Sequence, residues 1–452
     1  MKVDVLCAEI GSTTTVVNAF SGLGTDNPRL LGQGFSPTTV LEGDVTTGLY
    51  GAITELSRRL GTEDLEWERF FASSSAAGGL RMTVHGLVYD MTVRAAREAA
   101  LGAGANIHQI TAGRMRKNDL KRLVEIKPNI IMIAGGVDYG ERETALENAG
   151  KIAALDLGIP VIYAGNIQNH EDIRNIFQAS PSLLYIVKNV YPSIDRLEVL
   201  PARKVIQSVF EEHIIHAAGM EKIRSLVDGP IIPTPGAVME ASRLIKEDLG
   251  DLITFDVGGA TTDVHSVTEG SEEIGRIQLS PEPDAKRTVE GDLGVYINRM
   301  NVLELTDIKK TAASLGLNDE ELKTAVQGLK AVPQSDLERR IVRELTLTAL
   351  KTALHRHVGK FHESFTAKGK RTMAEGRDLT ALSHVIGTGG ALTRLDDGAA
   401  LLREVFAQKS RNDLMPRYIP KILIDQSYIM ASLGVLSREY PRETVRLFKR
   451  SI

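Results

Sequence analysis

Two acidic residues enclose a glycine turn in the stretch Leu252–Val267, LITFDVGGATTDVHSV. A buried strand is predicted to end at Asp256, two glycines follow it, and Asp263 comes after a pair of threonines. Glycines let a bulky ligand reach backbone N–H groups, and carboxylates are oxygen ligands that suit Mg²⁺. Alone, the stretch predicts either a phosphate-binding turn beside a magnesium site or an ordinary hairpin.

A similar stretch lies near the N-terminus, in Val3–Phe20, VDVLCAEIGSTTTVVNAF. Each stretch has an apolar strand, an acid, a glycine, small residues that include threonines, and a second apolar strand. The two turns align as Glu9, Gly11, Ser12, Thr13 and Thr14 with Asp256, Gly258, Gly259, Ala260 and Thr261. Two matching hairpins predict a duplicated architecture that binds one polyanion from both sides.

Two further glycine-rich motifs follow the second hairpin. The first, before a predicted helix, is Glu290-Gly291-Asp292-Leu293-Gly294. The second is HVIGTGGALTRL, in which a short strand, His384–Ile386, leads into Gly387, Thr388, Gly389 and Gly390 at the start of a helix.

The order of the two hairpins and the last glycine turn resembles the superfamily of actin, sugar-kinase and heat-shock-chaperone ATPases. Within it, the chain is similar to the glutamate mutase accessory protein family, also called MutL and unrelated to the mismatch-repair protein of that name. Members of this family resemble reactivating factors of adenosylcobalamin-dependent mutases. The stretches that carry the resemblance, between residues 8 and 393, are AEIGSTTT, FASSSAAGGLRM, IAGGVDYGERETALENA, FDVGGATTDVHSV, KRTVEGDLG and GTGGALT.

The resemblance implies an α/β, actin-like (ribonuclease H-like) ATPase with two duplicated halves around a nucleotide cleft and an inserted α/β unit. ATP or ADP with Mg²⁺ is the implied cofactor, and either Asp256 or Glu240 would orient the attacking water. The implied metal-binding acids are Glu9, Asp256 and Asp263, although the superfamily usually has Asp at the position of Glu9. The implied nucleotide-binding residues are Gly11, Ser12, Thr13, Thr14, Gly258, Gly259, Ala260, Thr261, Glu290, Gly291, Asp292, Gly387, Gly389 and Gly390.

The implied function is that of a slow ATPase that reactivates an adenosylcobalamin-dependent mutase, such as glutamate mutase or an aminomutase, by binding its subunits. Two alternatives on the same core stay open: an ATP-dependent amidohydrolase of the hydantoinase or oxoprolinase type, and a small-molecule kinase. The sequence lacks the Walker motif of P-loop NTPases and the full glycine pattern of dinucleotide-binding enzymes. Its one cysteine, Cys7, argues against an activator with a shared iron–sulfur cluster.

Composition narrows the class of protein further. The 452 residues are 42% hydrophobic and 25% charged, with a net charge of −4, which indicates neither nucleic acid nor an anionic membrane as partner. A single cysteine fits a reducing compartment, and no apolar run approaches the ~20 residues of a membrane span. We therefore expect a cytoplasmic protein; its oligomeric state, a homodimer included, stays open.

The expected organisation has four parts. Residues 1–82 begin the first half, 83–200 form the inserted unit, 201–249 are a connector, and 250–452 form the second half, with a helical subdomain at 286–383. In the inserted unit, predicted strands alternate with helices, which is typical of a parallel sheet. The residues predicted at the ends of its strands are Gly135, Gly136, Asp138, Gly165 and Asn166. They indicate either a site for a small ligand or a partner, or simply glycines that short turns require.

Apolar spacing also predicts two long helices. The first is Asp44–Leu60, with Asp44 as N-cap. The second is Asp336–Gly369, whose C-terminal part is basic. This basic part is either a solvated helix end whose cations complement the helix dipole or a docking surface for an acidic partner.

Overall fold

The computed structural model describes all residues except 12, 40–43, 76–79, 104, 195, 215–219, 367–368 and 409. The chain forms two compact units, Met1–Ala237 and Val238–Ile452. The first unit contains the residues of the predicted inserted unit and most of the predicted connector. No helix in the described part is long and apolar enough to cross a membrane.

The first unit is a mixture of strands and helices. Its elements in chain order are β1 (Lys2–Ile10), β2 (Thr14–Ser21), β3 (Arg29–Pro37), α1 (Val45–Arg59), β4 (Glu66–Ser74), β5 (Leu80–Gly86), a π-helical turn (Tyr89–Val93), α2 (Arg94–Gly102), β6 (Ala105–Ala112), α3 (Lys117–Ile126), β7 (Ile130–Ile133), α4 (Glu143–Ala153), β8 (Val161–Tyr163), a 3₁₀ turn (Ile167–Asn169), α5 (His170–Phe177), β9 (Leu184–Ile186), α6 (Val199–Ile214), α7 (Met220–Leu226), β10 (Ile232–Pro233) and the start of α8 (Thr234–Leu249).

The second unit takes up most of α8 and continues with a similar mixture. Its further elements are β11 (Leu252–Val257), β12 (Thr262–Val267), α9 (Glu272–Gly275), β13 (Ala285–Glu290), α10 (Arg299–Glu304), α11 (Ile308–Leu315), α12 (Asp319–Gln327), α13 (Asp336–His357), β14 (Lys360–Thr366), β15 (Gly369–Glu375), β16 (His384–Thr388), α14 (Gly390–Thr393), α15 (Gly398–Ala407), β17 (Lys421–Ile424), α16 (Met430–Leu436) and α17 (Pro441–Ser451).

Each unit has a five-stranded mixed sheet of the same topology. The strand order is β3-β2-β1-β4-β10 in the first unit and β13-β12-β11-β16-β17 in the second. In both sheets the first three strands are antiparallel and the last two run parallel to the central strand. The sheet order in each unit is therefore 3-2-1-4-5. This repetition confirms the predicted α/β fold with two duplicated, actin-like halves.

A third sheet, inserted between β4 and β10, has the order β6-β5-β7-β8-β9 and is parallel throughout. The alternation of strands and helices predicted this arrangement correctly. At its strand ends, Gly135 and Gly165 pack closely: a Cβ on Gly165 would lie 2.8 Å from the backbone N and O of Gly135. Asn189 Nδ2 donates to Gly136 O and to Asp138 Oδ1, both at 3.0 Å. These contacts support the interpretation that the glycines serve short, tightly packed loops.

The helix predicted over Asp336–Gly369 is shorter than expected. Ser335 caps α13, and the helix ends at His357, where Val358 turns to an extended conformation. A Cβ on Gly359 would lie 2.6 Å from Glu375 O, and Gly359 N donates to Arg377 O at 2.8 Å. Pairing with β15 therefore overrides the helical pattern, and Lys360–Thr366 becomes a strand.

The basic run consequently does not form one exposed surface. His357 is buried, with Nε2 2.7 Å from Ser266 Oγ and Nδ1 3.0 Å from Thr288 Oγ1. Arg356 is engaged in ion pairs with Glu290 and Asp292. Both interpretations of the run, as a solvated helix end and as a docking surface, therefore fail for His357, whereas Arg356 is exposed in the last turn of α13.

Candidate functional site

The two aligned turns close in the same way. Gly11 N donates to Thr14 O at 3.0 Å, and Gly258 N donates to Thr261 O at 2.9 Å. In the first turn, a Cβ on Gly11 would lie 2.6 Å from Thr14 O, so a side chain cannot be placed there. The structure therefore supports the alignment of the two hairpins on their glycines.

The backbone carbonyls of residues 258–260 in the second turn face the segment 295–298. Gly258 O accepts from Val295 N, Gly259 O accepts from Ile297 N at 2.7 Å, and Ala260 O accepts from Asn298 Nδ2 at 2.9 Å. A trans peptide places its N–H opposite its C=O, and the chain has no cis peptides among its described residues. The N–H groups of residues 259, 260 and 261 therefore point away from this segment.

The motif Glu290–Gly294 supports this turn from behind. A Cβ on Gly294 would lie 2.3 Å from the carbonyl carbon of Ala260, and Thr262 Oγ1 donates to Leu293 O at 2.8 Å. The motif is held in turn by Arg356, whose Nη1 lies 2.6 Å from Glu290 Oε2 and 2.8 Å from Asp292 Oδ1. The hydrogen bond from Arg356 lowers the pKa of Asp292.

Asp256 and Asp263 lie directly opposite each other on the antiparallel strands β11 and β12. Asp263 is buried and accepts a hydrogen bond from Arg287 Nη2 at 3.0 Å, in an ion pair whose two side chains are almost fully enclosed. Thr261 Oγ1 lies 3.4 Å from the other carboxylate oxygen. Asp263 is thus paired with Arg287 within the sheet.

Asp256 has a different environment. It is partly buried, and no residue in the described part of the chain donates a hydrogen bond to its carboxylate. Burial, followed by the negative charge of Asp263, raises the pKa of Asp256 to about 7. A carboxyl group with this pKa exchanges a proton near neutral pH, as a general base does.

The third glycine turn lies against the end of β11. Asp256 pairs with Thr388 of β16, and Gly389 follows with φ +87°. A Cβ on Gly389 would lie 2.5 Å from Val257 N and 2.6 Å from Asp256 Oδ1. Only glycine therefore fits at residue 389. At residue 390, by contrast, a Cβ would meet no other atom within 4 Å. The strand reaches Thr388, two residues beyond the predicted end.

The sequence profile described as MutL protein matches residues 5–452. The chain belongs to the MutL protein family. One relative in this family, Protein MutL of Clostridium tetanomorphum, is 33% identical over 458 residues, and the match covers 98% of each chain. These two findings confirm the resemblance on which the expected functional residues rest.

Solved structures outside the MutL protein family are similar at a lower level. Acetone carboxylase in its nucleotide-free form is 12% identical, with a TM-score of 0.42, over 96% of this chain and 70% of that chain. Glycerol dehydratase reactivase is 11% identical, with a TM-score of 0.36, over 96% of this chain and 99% of that chain. Scores of this size give no basis for assigning a function.

The remaining acidic candidates of this MutL family member are Glu9 and Glu240. Glu9 is the last residue but one of β1 in the first unit and is only 8% exposed, whereas Ser12 lies outside the described residues. Glu240 lies on α8, partly exposed and without a hydrogen bond to any described residue. On the same helix, Ser242 Oγ lies 2.9 Å from Thr254 Oγ1 of β11. Among the described residues, no three His, Cys, Asp or Glu side chains are grouped to hold a metal ion.

Two charged residues of the second unit were missed from sequence. Arg287 lies within β13 and is buried. A charged residue inside a strand that is otherwise buried was the feature of the sequence that could have identified it. Asp425 directly follows β17 and is fully buried; it accepts from Thr388 Oγ1 at 3.0 Å, from Ser451 Oγ at 2.5 Å and from the backbone of α16. The pattern of an acid after an apolar strand, KILID, could have identified it.

Proposed function

We propose that this protein is an ATP-binding and slowly ATP-hydrolysing accessory protein that reactivates an adenosylcobalamin-dependent mutase. The observation that carries the proposal is full-length membership of the MutL protein family, joined to two phosphate-type turns that close alike. The resemblance to glutamate mutase accessory proteins supplies the class of partner. Glutamate mutase or an aminomutase is the proposed partner, and the cytoplasm is the proposed compartment.

In this proposal, the glycine turns bind ATP or ADP. The outward N–H groups of residues 259–261 hold phosphate oxygens, and the turn at Gly11–Thr14 does the same from the first half. The third turn, Gly387–Gly390, and the motif Glu290–Asp292 would bind the adenosine. Backbone N–H groups suit this task because they carry positive partial charge without a counter-charge in the side chain.

A magnesium ion bound with the nucleotide would neutralise charge on the phosphates during transfer. Asp256 fits the role of the carboxylate nearest to it, because its oxygens accept no hydrogen bond from a described residue. Asp263 fits less well, because its charge is already matched by Arg287 at 3.0 Å. Glu9 is the third proposed metal-binding acid.

Asp256 is the first candidate for the residue that activates the attacking water. Its carboxylate oxygens accept no hydrogen bond from a described residue, so they are available to accept one from the attacking water. Glu240 is the second candidate, since it is partly exposed on α8 in the same unit. Hydrolysis would then change the conformation of the protein, and that change would act on the mutase.

Calorimetry with purified protein tests the nucleotide assignment. We expect Mg-ADP to bind at one site per chain, and binding to weaken when magnesium is removed with a chelator. Well-folded protein that binds no adenine nucleotide would contradict the proposal. Turnover of a small amide or sugar substrate in the absence of any mutase would instead favour the amidohydrolase or kinase alternatives.

A further inference from the structure

Asp425 is a buried acid in the second unit that the proposed mechanism does not use. It directly follows β17 and is fully buried, and its partners in the described part of the chain are all uncharged. Burial of a carboxyl group costs free energy, which an apolar side chain at the same position would avoid. An acid here therefore indicates a task that an apolar side chain cannot perform.

The carboxyl group of Asp425 joins three separate segments of the second unit. Its Oδ2 accepts from the backbone N–H groups of Ile429 and Met430, at 2.7 and 2.9 Å, where α16 begins. The same oxygen accepts from Thr388 Oγ1 at 3.0 Å, at the end of β16. Its Oδ1 accepts from Ser451 Oγ at 2.5 Å, at the end of α17. Buried polar networks whose members all have partners are rigid, so this carboxyl group fixes the three segments relative to one another.

Thr388 connects this network to the third glycine turn. It pairs with Asp256 in the sheet, and its side chain donates to Asp425. Gly389 comes next, and a Cβ there would lie 2.6 Å from Asp256 Oδ1, whereas a Cβ on Gly390 would meet no atom within 4 Å. The start of the turn is therefore held between β11 and residue 425, and the turn faces open space at residue 390, which leaves room for a ligand.

We propose that Asp425 is a positioning residue for nucleotide binding, which acts through Thr388 on the third glycine turn. This inference rests on the proposed function, in which the third turn binds the adenosine and the first two turns bind the phosphates. The hydrogen bond from Thr388 to Asp425 keeps the end of β16 where the backbone of Gly389 and Gly390 contacts the nucleoside. Loss of this hydrogen bond therefore weakens binding of the whole nucleotide and leaves binding of its phosphate chain unchanged.

Calorimetry on the full-length protein with two probes tests the proposal. The probes are Mg-ADP and Mg-pyrophosphate, which is the phosphate chain of ADP without the nucleoside. Thr388→Val keeps the shape of the side chain and removes its hydroxyl, so we expect the affinity for Mg-ADP to fall about tenfold. The affinity for Mg-pyrophosphate should change by less than about twofold, because no contact with the phosphates is lost. Thr388→Ser keeps the hydroxyl and should restore the affinity for Mg-ADP to within about threefold of the wild type.

Thr268→Val is the matched control. Thr268 is buried in the same unit, and its Oγ1 donates to Asp378 O at 3.1 Å, so this variant also loses one buried hydrogen bond. Both variants should lower the Tm by similar amounts, but only Thr388→Val should lose affinity for Mg-ADP. In an ATPase assay, the KM of Thr388→Val for ATP should rise about tenfold with kcat unchanged, because contacts with the nucleoside are the same before and during phosphoryl transfer.

Asp425→Ala tests the acid itself, and Thr388→Val decides the question alone if Asp425→Ala does not fold. The double variant should bind Mg-ADP no more weakly than Asp425→Ala, because the two residues act through one hydrogen bond. Mg-ADP binding by Thr388→Val as tight as by Thr268→Val, or equal losses for Mg-ADP and Mg-pyrophosphate, would overturn this inference and leave the nucleotide assignment in place. Wild-type protein that binds neither probe would overturn the proposed function and this inference with it.

Discussion

Asp256 is the residue on which the proposed chemistry depends most. Asp256→Asn keeps the size of the side chain and removes its charge, so we expect Mg-ADP binding to persist. ATP hydrolysis should fall by about 10²-fold or more if Asp256 positions water or metal. A single-turnover ATPase assay on matched protein preparations measures this loss.

The control for this variant is Asp307→Asn. Asp307 caps α11 by accepting from Lys310 N, and asparagine caps a helix equally well. The control therefore makes the same charge change in the same unit without touching the turns. Hydrolysis in Asp256→Asn as fast as in this control would assign the chemistry elsewhere, with Glu240 as the next residue to replace.

The raised pKa of Asp256 has a consequence for stability against pH. Its pKa rises from an ordinary 3.8 to about 7 in the folded chain, so the folded state holds a proton that the unfolded state has lost between these values. Stability contributed at this position therefore falls as pH rises from 3.8 to about 7, by at most about 1.4 kcal/mol per pH unit. Asp256→Asn lacks this dependence, so its Tm should rise relative to the wild type over that range and then stay constant.

Thermal unfolding of the two proteins side by side measures this difference at each pH. Other titrating groups are common to both proteins and cancel in the comparison. A difference in Tm that is the same at all pH values would mean that the pKa of Asp256 is the same in the folded and the unfolded chain, so that its raised value is not realised in solution.

At the scale of the element, the second turn depends on a glycine that is distant in sequence. A Cβ at residue 294 would lie 2.3 Å from the backbone of Ala260, so Gly294→Ala must displace the turn. We expect this variant to weaken Mg-ADP binding by about tenfold or more, which corresponds to about 1.4 kcal/mol. Calorimetry gives the affinity, and circular dichroism should show unchanged secondary structure.

Gly275→Ala is the matched control, because a Cβ there meets no atom within 4 Å. Residue 275 ends a short helix in the same unit and is not in the turn or in the motif behind it. Affinity equal in the two variants would show that the contact of Gly294 with Ala260 does not shape the binding site.

Elements with a clear local pattern could be predicted from the sequence. Asp44 was expected to cap a helix, and it accepts from Thr46 N at the start of α1. The strand β6 was missed, because it is an edge strand with polar residues such as Asn106, His108 and Gln109 between its apolar ones. The hairpin of β14 and β15 was missed, because the apolar spacing predicted a longer helix and gave no sign that residues 360–366 pair with β15.

Residue roles were harder to predict than elements. The sequence identified Asp256 and Asp263 as a pair, and their opposite positions in the hairpin follow from the turn between them. It did not show that Arg287 forms an ion pair with Asp263. The two residues are 24 positions apart, and their contact depends on the pairing of β12 with β13. Contacts of this kind require the register of the sheet, which local sequence does not specify.

For the whole molecule, the duplication was visible in sequence because each half opens on the same hairpin. The shared 3-2-1-4-5 order was not, because one strand of each sheet arrives after a long insertion. The fifth strand of the first sheet, β10, follows the third sheet, and the fourth strand of the second sheet, β16, follows the helices α10–α13. Insertions at different places in two equivalent sheets give the halves different surfaces on a common core. We infer that the core serves the nucleotide and that the insertions serve the partner.

Reactivation of a mutase tests this division of roles in the full chain. An adenosylcobalamin-dependent mutase is inactivated with hydroxocobalamin and then mixed with this protein, Mg-ATP and fresh coenzyme. Activity should return only with all components, because nucleotide states with different partner affinity are needed to exchange the damaged cofactor. Asp256→Asn should bind the mutase without restoring it, and Asp307→Asn should restore it fully. Equal recovery with a non-hydrolysable ATP analogue would refute an ATP-driven mechanism, and the absence of any complex with the mutase would refute the partner.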